Sequence, residues 1–178
     1  MADNKNPMRD LKISKITVNM GVGEGGEKLA KAETLLESLT DQKPVKTMAK
    51  FTDPTFGTRK GLPIGCKVTL RRDKAEDFLK KALDAVDYTI QKSSVDRQGN
   101  VSFGIKEHID IPGVKYDPKV GIFGMDVALT IERPGYRVKK RMISKKKVSK
   151  HHQVGRPDSI KFLQDQYKIT LEEAEAGD

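Results

Sequence analysis

Residues 12–26 read KISKITVNMGVGEGG, and how the first nine are read decides the fold. The run ends on Gly21, Gly23 and Gly26 in G-x-G-x-x-G spacing, and a helix-like run, EKLAKAETLLESLT, follows at 27–40. Strand, glycine loop and helix together are the setting of a dinucleotide-binding fingerprint. That fingerprint belongs to a parallel sheet, whose strands are buried on both faces and read as continuous apolar runs. Residues 12–20 instead alternate, with Ile16, Val18 and Met20 on one face and Lys15, Thr17 and Asn19 on the other. Alternation marks a strand with one buried face.

The same alternation recurs along the chain. CKVTLRR sets Cys66, Val68 and Leu70 against Lys67, Thr69 and Arg71. VSFGIKEHI sets Val101, Phe103 and Ile105 against Ser102, Gly104, Lys106 and His108, and MDVALTIE turns Met125, Val127, Leu129 and Ile131 inward. QKPVKTMA reads as a short second strand, and KFTDPTFGTRKGLPIG, with its Pro and Gly residues, as a long exposed loop. Helices are expected at 27–39, with Leu29, Ala32, Leu35, Leu36 and Leu39 inward, and at 73–90, with Asp73 and Glu76 as a capping pair. A last short helix starts at Pro157-Asp158 and carries Ile160, Leu163 and Tyr167. The order β-α-β-β-α-β-β-α predicts an α+β fold: a two-layer sandwich, a largely antiparallel sheet with helices on one face. No internal repeat is visible. At 178 residues the expected organisation is a single domain, with a core over 11–132, a basic extension over 133–157, and a C-terminal helix and acidic tail over 158–178.

The fold class removes most of the case for a nucleotide enzyme. A dinucleotide site also wants an acid at the end of the second strand, where VKTMAK supplies only Lys46 and Lys50. The glycines are expected to make a tight strand-to-helix connection whose amides could still meet a phosphate. GLPIGCK has the wrong spacing for a P-loop, with Val68 where the magnesium-binding hydroxyl belongs. Cys66, His108, His151 and His152 have no metal-ligand spacing, so neither metal nor cofactor is expected, and the paired histidines read as an extension of the basic segment around them. No catalytic constellation emerges, and the chain reads as no enzyme.

Charge points to the partner. The net charge is +9, from 34 basic and 25 acidic residues. Ten of the basic residues (Arg133, Arg137, Lys139, Lys140, Arg141, Lys145, Lys146, Lys147, Lys150 and Arg156) lie between Arg133 and Pro157, with no acid among them. Taking these ten from the 34 leaves 24 against 25 acids, so the whole excess belongs to one arm. Charge so concentrated implies a polyanionic partner. Met142, Ile143 and Val148 are too few for a membrane anchor, and no membrane partner is expected. The outward strand faces offer donors and cations but no aromatic platform, which suits folded RNA better than splayed single strands. A lone Cys fits a reducing, cytoplasmic setting.

Five ordered blocks, ISKITVNMGVGEG, TDQKPVKTMAK, RKGLPIGCKVTLR, DRQGNVSFGIKEHIDIPGVKYDP and GIFGMDVALTIERPGYRVKKR, resemble the L-five family of large-subunit ribosomal proteins. The resemblance runs from about residue 9 to residue 167. RPGYRV and the final helix look like the archaeal and eukaryotic branch, and the loop at 51–60 departs from the bacterial pattern. The resemblance implies a ribosomal constituent that binds 5S rRNA and attaches it to large-subunit rRNA in the central protuberance. It also implies contact with P-site tRNA, with a small-subunit head protein of the S-thirteen family, and with other 5S-associated ribosomal proteins. By position, 5S rRNA contacts fall on Asn19, Gln42 and Thr69, with Lys43, Thr47 and Lys67 beside them. The tRNA-facing loop falls on Phe51, Thr52, Thr55, Phe56, Arg59 and Lys60. The basic arm adds Arg137, Lys139, Lys140, Arg141, Lys145, Lys146, Lys147 and Lys150. The competing readings are a non-ribosomal regulator that binds some other structured RNA, and a nucleotide-dependent enzyme using the glycine loop.

Overall fold

A computed structural model describes residues 6–114, 116–118 and 120–172. The acidic tail expected after the last helix therefore falls mostly outside the described residues. The centre of the molecule is a strand, β1 (Lys12–Gly21), flanked on both sides. Across it run β3 (Pro63–Leu70) and β6 (Met125–Glu132), and the edges are β2 (Val45–Met48) and β5 (Val101–Ile105). The order is β2-β3-β1-β6-β5 and every pairing is antiparallel. Strict alternation produces this, since strands with one apolar face can share a single covered side. That side holds Ile16, Val18, Met20, Cys66, Val68, Leu70, Val127 and Leu129, all essentially inaccessible.

Two helices cover it, α1 (Glu27–Thr40) against β3 and α2 (Asp73–Asp84) against β1. From α1 come Leu29, Ala32, Leu35 and Leu36; from α2 come Ala75, Phe78, Leu79, Ala82 and Leu83. Each fully buried Leu or Ile among these contributes roughly 1.5–3 kcal/mol. Burial also pushes the Cys66 thiol up, with the Glu33 carboxylate adding to the effect, so the lone cysteine is a core residue and a poor nucleophile. The glycine loop is part of this scaffold. Gly23 has φ +80° and Gly26 φ +90° at the start of α1, a backbone in which a Cβ is strained. The amides of Val22 and Gly23 both donate to the carbonyl of Ile64, at 3.1 and 2.9 Å. Donors spent on β3 are not available to cradle a phosphate there.

Four expectations need correction. The helix expected over 73–90 stops at Asp84, because Asp87 and Tyr88 take positive φ (50° and 55°) and turn the chain into a short strand, β4 (Thr89–Gln91). Asp73 does not cap that helix: Arg72 occupies the cap position with no side-chain bond, and Asp73 and Glu76 lie in the first turn, where their charges favour the helix dipole. The long loop ends earlier than expected, since β3 already begins at Pro63. His108 does not share the outward face. The alternation ends with β5, the chain turns through a 3-10 helix at His108–Asp110, and the His108 ring is buried, its Nδ1 accepting the Phe123 N–H at 3.3 Å.

The C-terminal part packs back on this body. A short helix, α3 (Arg137–Lys140), opens the basic arm, and α4 (Arg156–Tyr167) follows it with Leu163 and Ser159 buried. The chain then pairs β7 (Thr170–Glu172) in parallel with β4.

Candidate nucleic-acid interface

The face of the sheet away from α1 and α2 is built by register. Asn19 lies opposite Lys67, which lies opposite Val45; Thr17 lies opposite Thr69; Thr47 lies opposite Gly65. Directly opposed Cβ atoms on one face are about 5 Å apart, so Asn19, Lys67, Thr69 and Thr47 form one continuous surface over β1, β3 and β2. Gly65 makes room for it: a Cβ there would stand 2.8 Å from the Thr47 hydroxyl and 2.7 Å from the Met20 carbonyl. Gln42 and Lys43 are exposed in the turn between α1 and β2. Four of the six expected residues, from three strands, are thus brought to one side. Cys66, whose sequence neighbours Lys67 and Gly65 face outward, points the other way into the core.

The other half of the same face carries acids. Alternation through β6 sets Asp126 opposite Asn19 and Glu132 opposite Lys12. Sequence reasoning on donors and cations passes over both, although the inward Met125-Val127-Leu129-Ile131 pattern already assigns them outward. Burial raises the Glu132 carboxyl, but hydrogen bonds from Lys140 and Ser14 and the charges of Lys140 and Lys15 outweigh it, so Glu132 is held below the ordinary carboxylate range. The Lys140 ammonium is 2.7 Å from its Oε2.

The basic arm has a fixed root and exposed cations. At its root, Arg133 pairs with Asp158 at 2.9 Å, the Val154 N–H donates to the Tyr136 hydroxyl at 2.9 Å, and His152 Nε2 donates to the Pro134 carbonyl at 2.7 Å. His152 is therefore a half-buried structural residue, although its place in the sequence groups it with the cations. Beyond the root the chain turns at Ser144 (φ 52°), with Arg141 Nε donating to the Ser144 carbonyl and the Lys146 N–H to the Val138 carbonyl. Arg137, Lys139, Lys140, Arg141, Lys145, Lys146, Lys147 and Lys150 are all exposed. The arm folds back toward the sheet and encloses a cleft of about 670 Å³.

A third element extends from the β2–β3 edge. The segment 51–60 is a small hairpin closed by reciprocal Asp53–Thr58 backbone bonds of 2.9 and 3.0 Å, with the Thr55 N–H on Asp53 and the Lys60 N–H on the Thr52 hydroxyl. Its Phe51 and Phe56 rings are 79% and 78% exposed, in company with exposed Arg59 and Lys60. It is the tip of the β2–β3 hairpin, joined to the strands by the Ala49 N–H on the Leu62 carbonyl and the Gly61 N–H on the Ala49 carbonyl. Among the described residues no group of His, Cys, Asp and Glu has the arrangement of a metal site, and no helix is long and apolar enough to cross a membrane.

The chain is also similar in sequence to known proteins. Residues 6–59 match the family model for Ribosomal protein L5, and residues 63–162 match the model for the C-terminus of the same ribosomal family. Among curated relatives, the "Large ribosomal subunit protein uL5" of Methanobrevibacter smithii is 52% identical, over 92% of this chain and 96% of the relative. The proteins of the same name from Sulfurisphaera tokodaii and Sulfolobus acidocaldarius are 55% and 50% identical, over 94% and 96% of this chain and 96% of each relative. These relatives are archaeal, as the RPGYRV extension implied, and they are matched nearly end to end. With both family matches in sequence order on one antiparallel sheet, the chain belongs to the ribosomal protein L5 family, structural constituents of the large ribosomal subunit.

Proposed function

We propose that this protein binds 5S rRNA through the β2–β3–β1 part of the outward face and ties it to large-subunit rRNA through the basic arm. One observation carries the reading: the register that sets Asn19 beside Lys67 and Thr17 beside Thr69 gathers hydrogen-bonding side chains on an open, non-aromatic face. Such a face suits phosphates, 2′-hydroxyls and the shape of folded RNA. The role is non-enzymatic, in the central protuberance of a cytoplasmic ribosome, with the chain acting as one domain. Filter binding at moderate salt tests it. The protein should prefer 5S rRNA over an unrelated structured RNA of equal length by about a hundredfold or more. Equal affinity for the two would overturn the reading.

The hairpin at 51–60 serves a different partner. Its exposed rings and cations, at the tip of the β2–β3 hairpin, fit the reach toward P-site tRNA that the resemblance implies. The small-subunit head protein of the S-thirteen family and the other 5S-associated proteins complete the partner set on the same grounds. Replacing residues 52–59 by a two-residue turn should leave 5S rRNA affinity within about twofold, since an exposed loop removed from the contact surface changes little. Retention of P-site tRNA on ribosomes carrying the shortened protein should fall. Loss of 5S rRNA binding instead would show that the surfaces are wrongly divided.

A further inference from the structure

The cleft under the basic arm has walls from two unrelated parts of the chain. Lys139, Lys140 and Lys146 line it from the arm, and Lys15 and Glu132 from the sheet, with Asn100 also in the lining. Among the described residues Glu132 is the only acid lining it, and it is bonded to Lys140. Bringing ammonium groups from separate elements around one cavity is unfavourable unless an anion is shared among them. In the free protein Glu132 supplies one such anion, between Lys140 and Lys15. The other lysines have no second acid in the lining to meet. The cleft's volume of about 670 Å³ is that of a small-ligand site, and although Ile131, Tyr136, Val148 and Val154 share the lining, its lysines give it the charge that suits a phosphodiester.

We propose that this cleft is an RNA site in its own right, which grips the backbone of one RNA strand between arm and sheet, with Glu132 holding the place of a phosphate until RNA arrives. The inference rests on the RNA-binding reading above but not on the RNA being 5S. It makes Lys15, which lies on β1 and outside the arm, as much a phosphate ligand as the arm lysines. It also makes Glu132 a competitor, so the two residues have opposite effects.

The test uses the full-length protein with 5S rRNA and with an unrelated structured RNA. Lys15→Gln should weaken binding to both and flatten the log-affinity against log-salt slope by about 1. Glu132→Gln should tighten binding to both by about two- to fivefold, as expected for removing a partly exposed ion pair that competes with the ligand. Silence of both variants on both RNAs would overturn the proposal. If the protein shows no preference for 5S rRNA yet both shifts appear, the 5S reading fails and the cleft stands. A second readout needs no variant: amine-reagent footprinting of the unaltered protein should find Lys15 protected by either RNA and not by polyglutamate. Equal protection by polyglutamate would identify an acidic protein segment as the occupant and overturn the RNA assignment.

Discussion

Glutamine at Lys139, Lys145, Lys146, Lys147 and Lys150 should flatten the salt dependence of RNA binding by about 4 and cost about a thousandfold in affinity at 0.1 M salt. All five side chains are exposed on the arm and none is in the Glu132 ion pair. Cations that meet phosphates gain affinity by releasing counterions, so their contribution grows as salt falls and carries little sequence information. The loss should therefore be similar for 5S rRNA and for unrelated structured RNA. Asn19 and Thr69 should fail in the opposite manner. They are uncharged, and Thr69 lies opposite Thr17 on the open face. Asn19→Ala with Thr69→Val should leave the slope unchanged and cost about 1 kcal/mol per lost bond, or roughly fivefold each, on 5S rRNA alone. A salt titration of both variants on both RNAs separates the two surfaces. If the sheet-face variant loses equally on both RNAs, that face does not read 5S rRNA.

The same contrast marks what the sequence could and could not disclose. β1, β3 and β6 are legible because each has at least three inward residues at period two, and a one-residue slip would put all of them in water. The arm is legible because no acid interrupts it. The parallel pair of β4 and β7 is not. Each strand has three residues, they are about 80 positions apart, and β4 is entered through Asp87 and Tyr88 with positive φ, a conformation that Asp tolerates but that a bulky Tyr does not signal. His108 continues a period-two pattern by sequence, yet β5 has already ended at Ile105 and the turn carries the ring inward. For the candidate site, the pattern assigns Lys67 and Asn19 to one face, but only register shows that they are neighbours. The cleft is illegible for the same reason at longer range, since nothing in the arm's composition says that Lys146 and Lys15 line the same space.

Gly99→Ala should be among the most destabilising single changes in the chain, at about 2–4 kcal/mol. Gly99 has φ +76° in the turn before β5, where its N–H bonds the Asp96 carbonyl at 3.0 Å. A Cβ at positive φ costs about 1 kcal/mol. The larger part is packing. The added Cβ would overlap the buried Ser159 hydroxyl and stand 2.8 Å from Val154 Cγ1. Both belong to the joint where the arm runs into α4, a joint also held by Arg156 on the Lys92 carbonyl and by Arg133 on Asp158. Overpacking a site with so little give adds about 1–3 kcal/mol. Gly113→Ala is the control. Its φ is +88°, but among the described residues a Cβ there meets nothing within 4 Å, so it should show the backbone cost alone. For a chain of this size the two variants should differ in Tm by about 3–10 °C. The damage should also be directional: the displaced α4 carries the root of the arm with it, while the β2–β3–β1 face lies across the sheet from Gly99's neighbours. Near its melting midpoint the Gly99 variant should lose salt-dependent affinity for both RNAs and keep its ratio of 5S to unrelated RNA. Equal melting temperatures for the two glycine variants would mean that Gly99 is retained for its backbone alone and that the arm is not anchored through it.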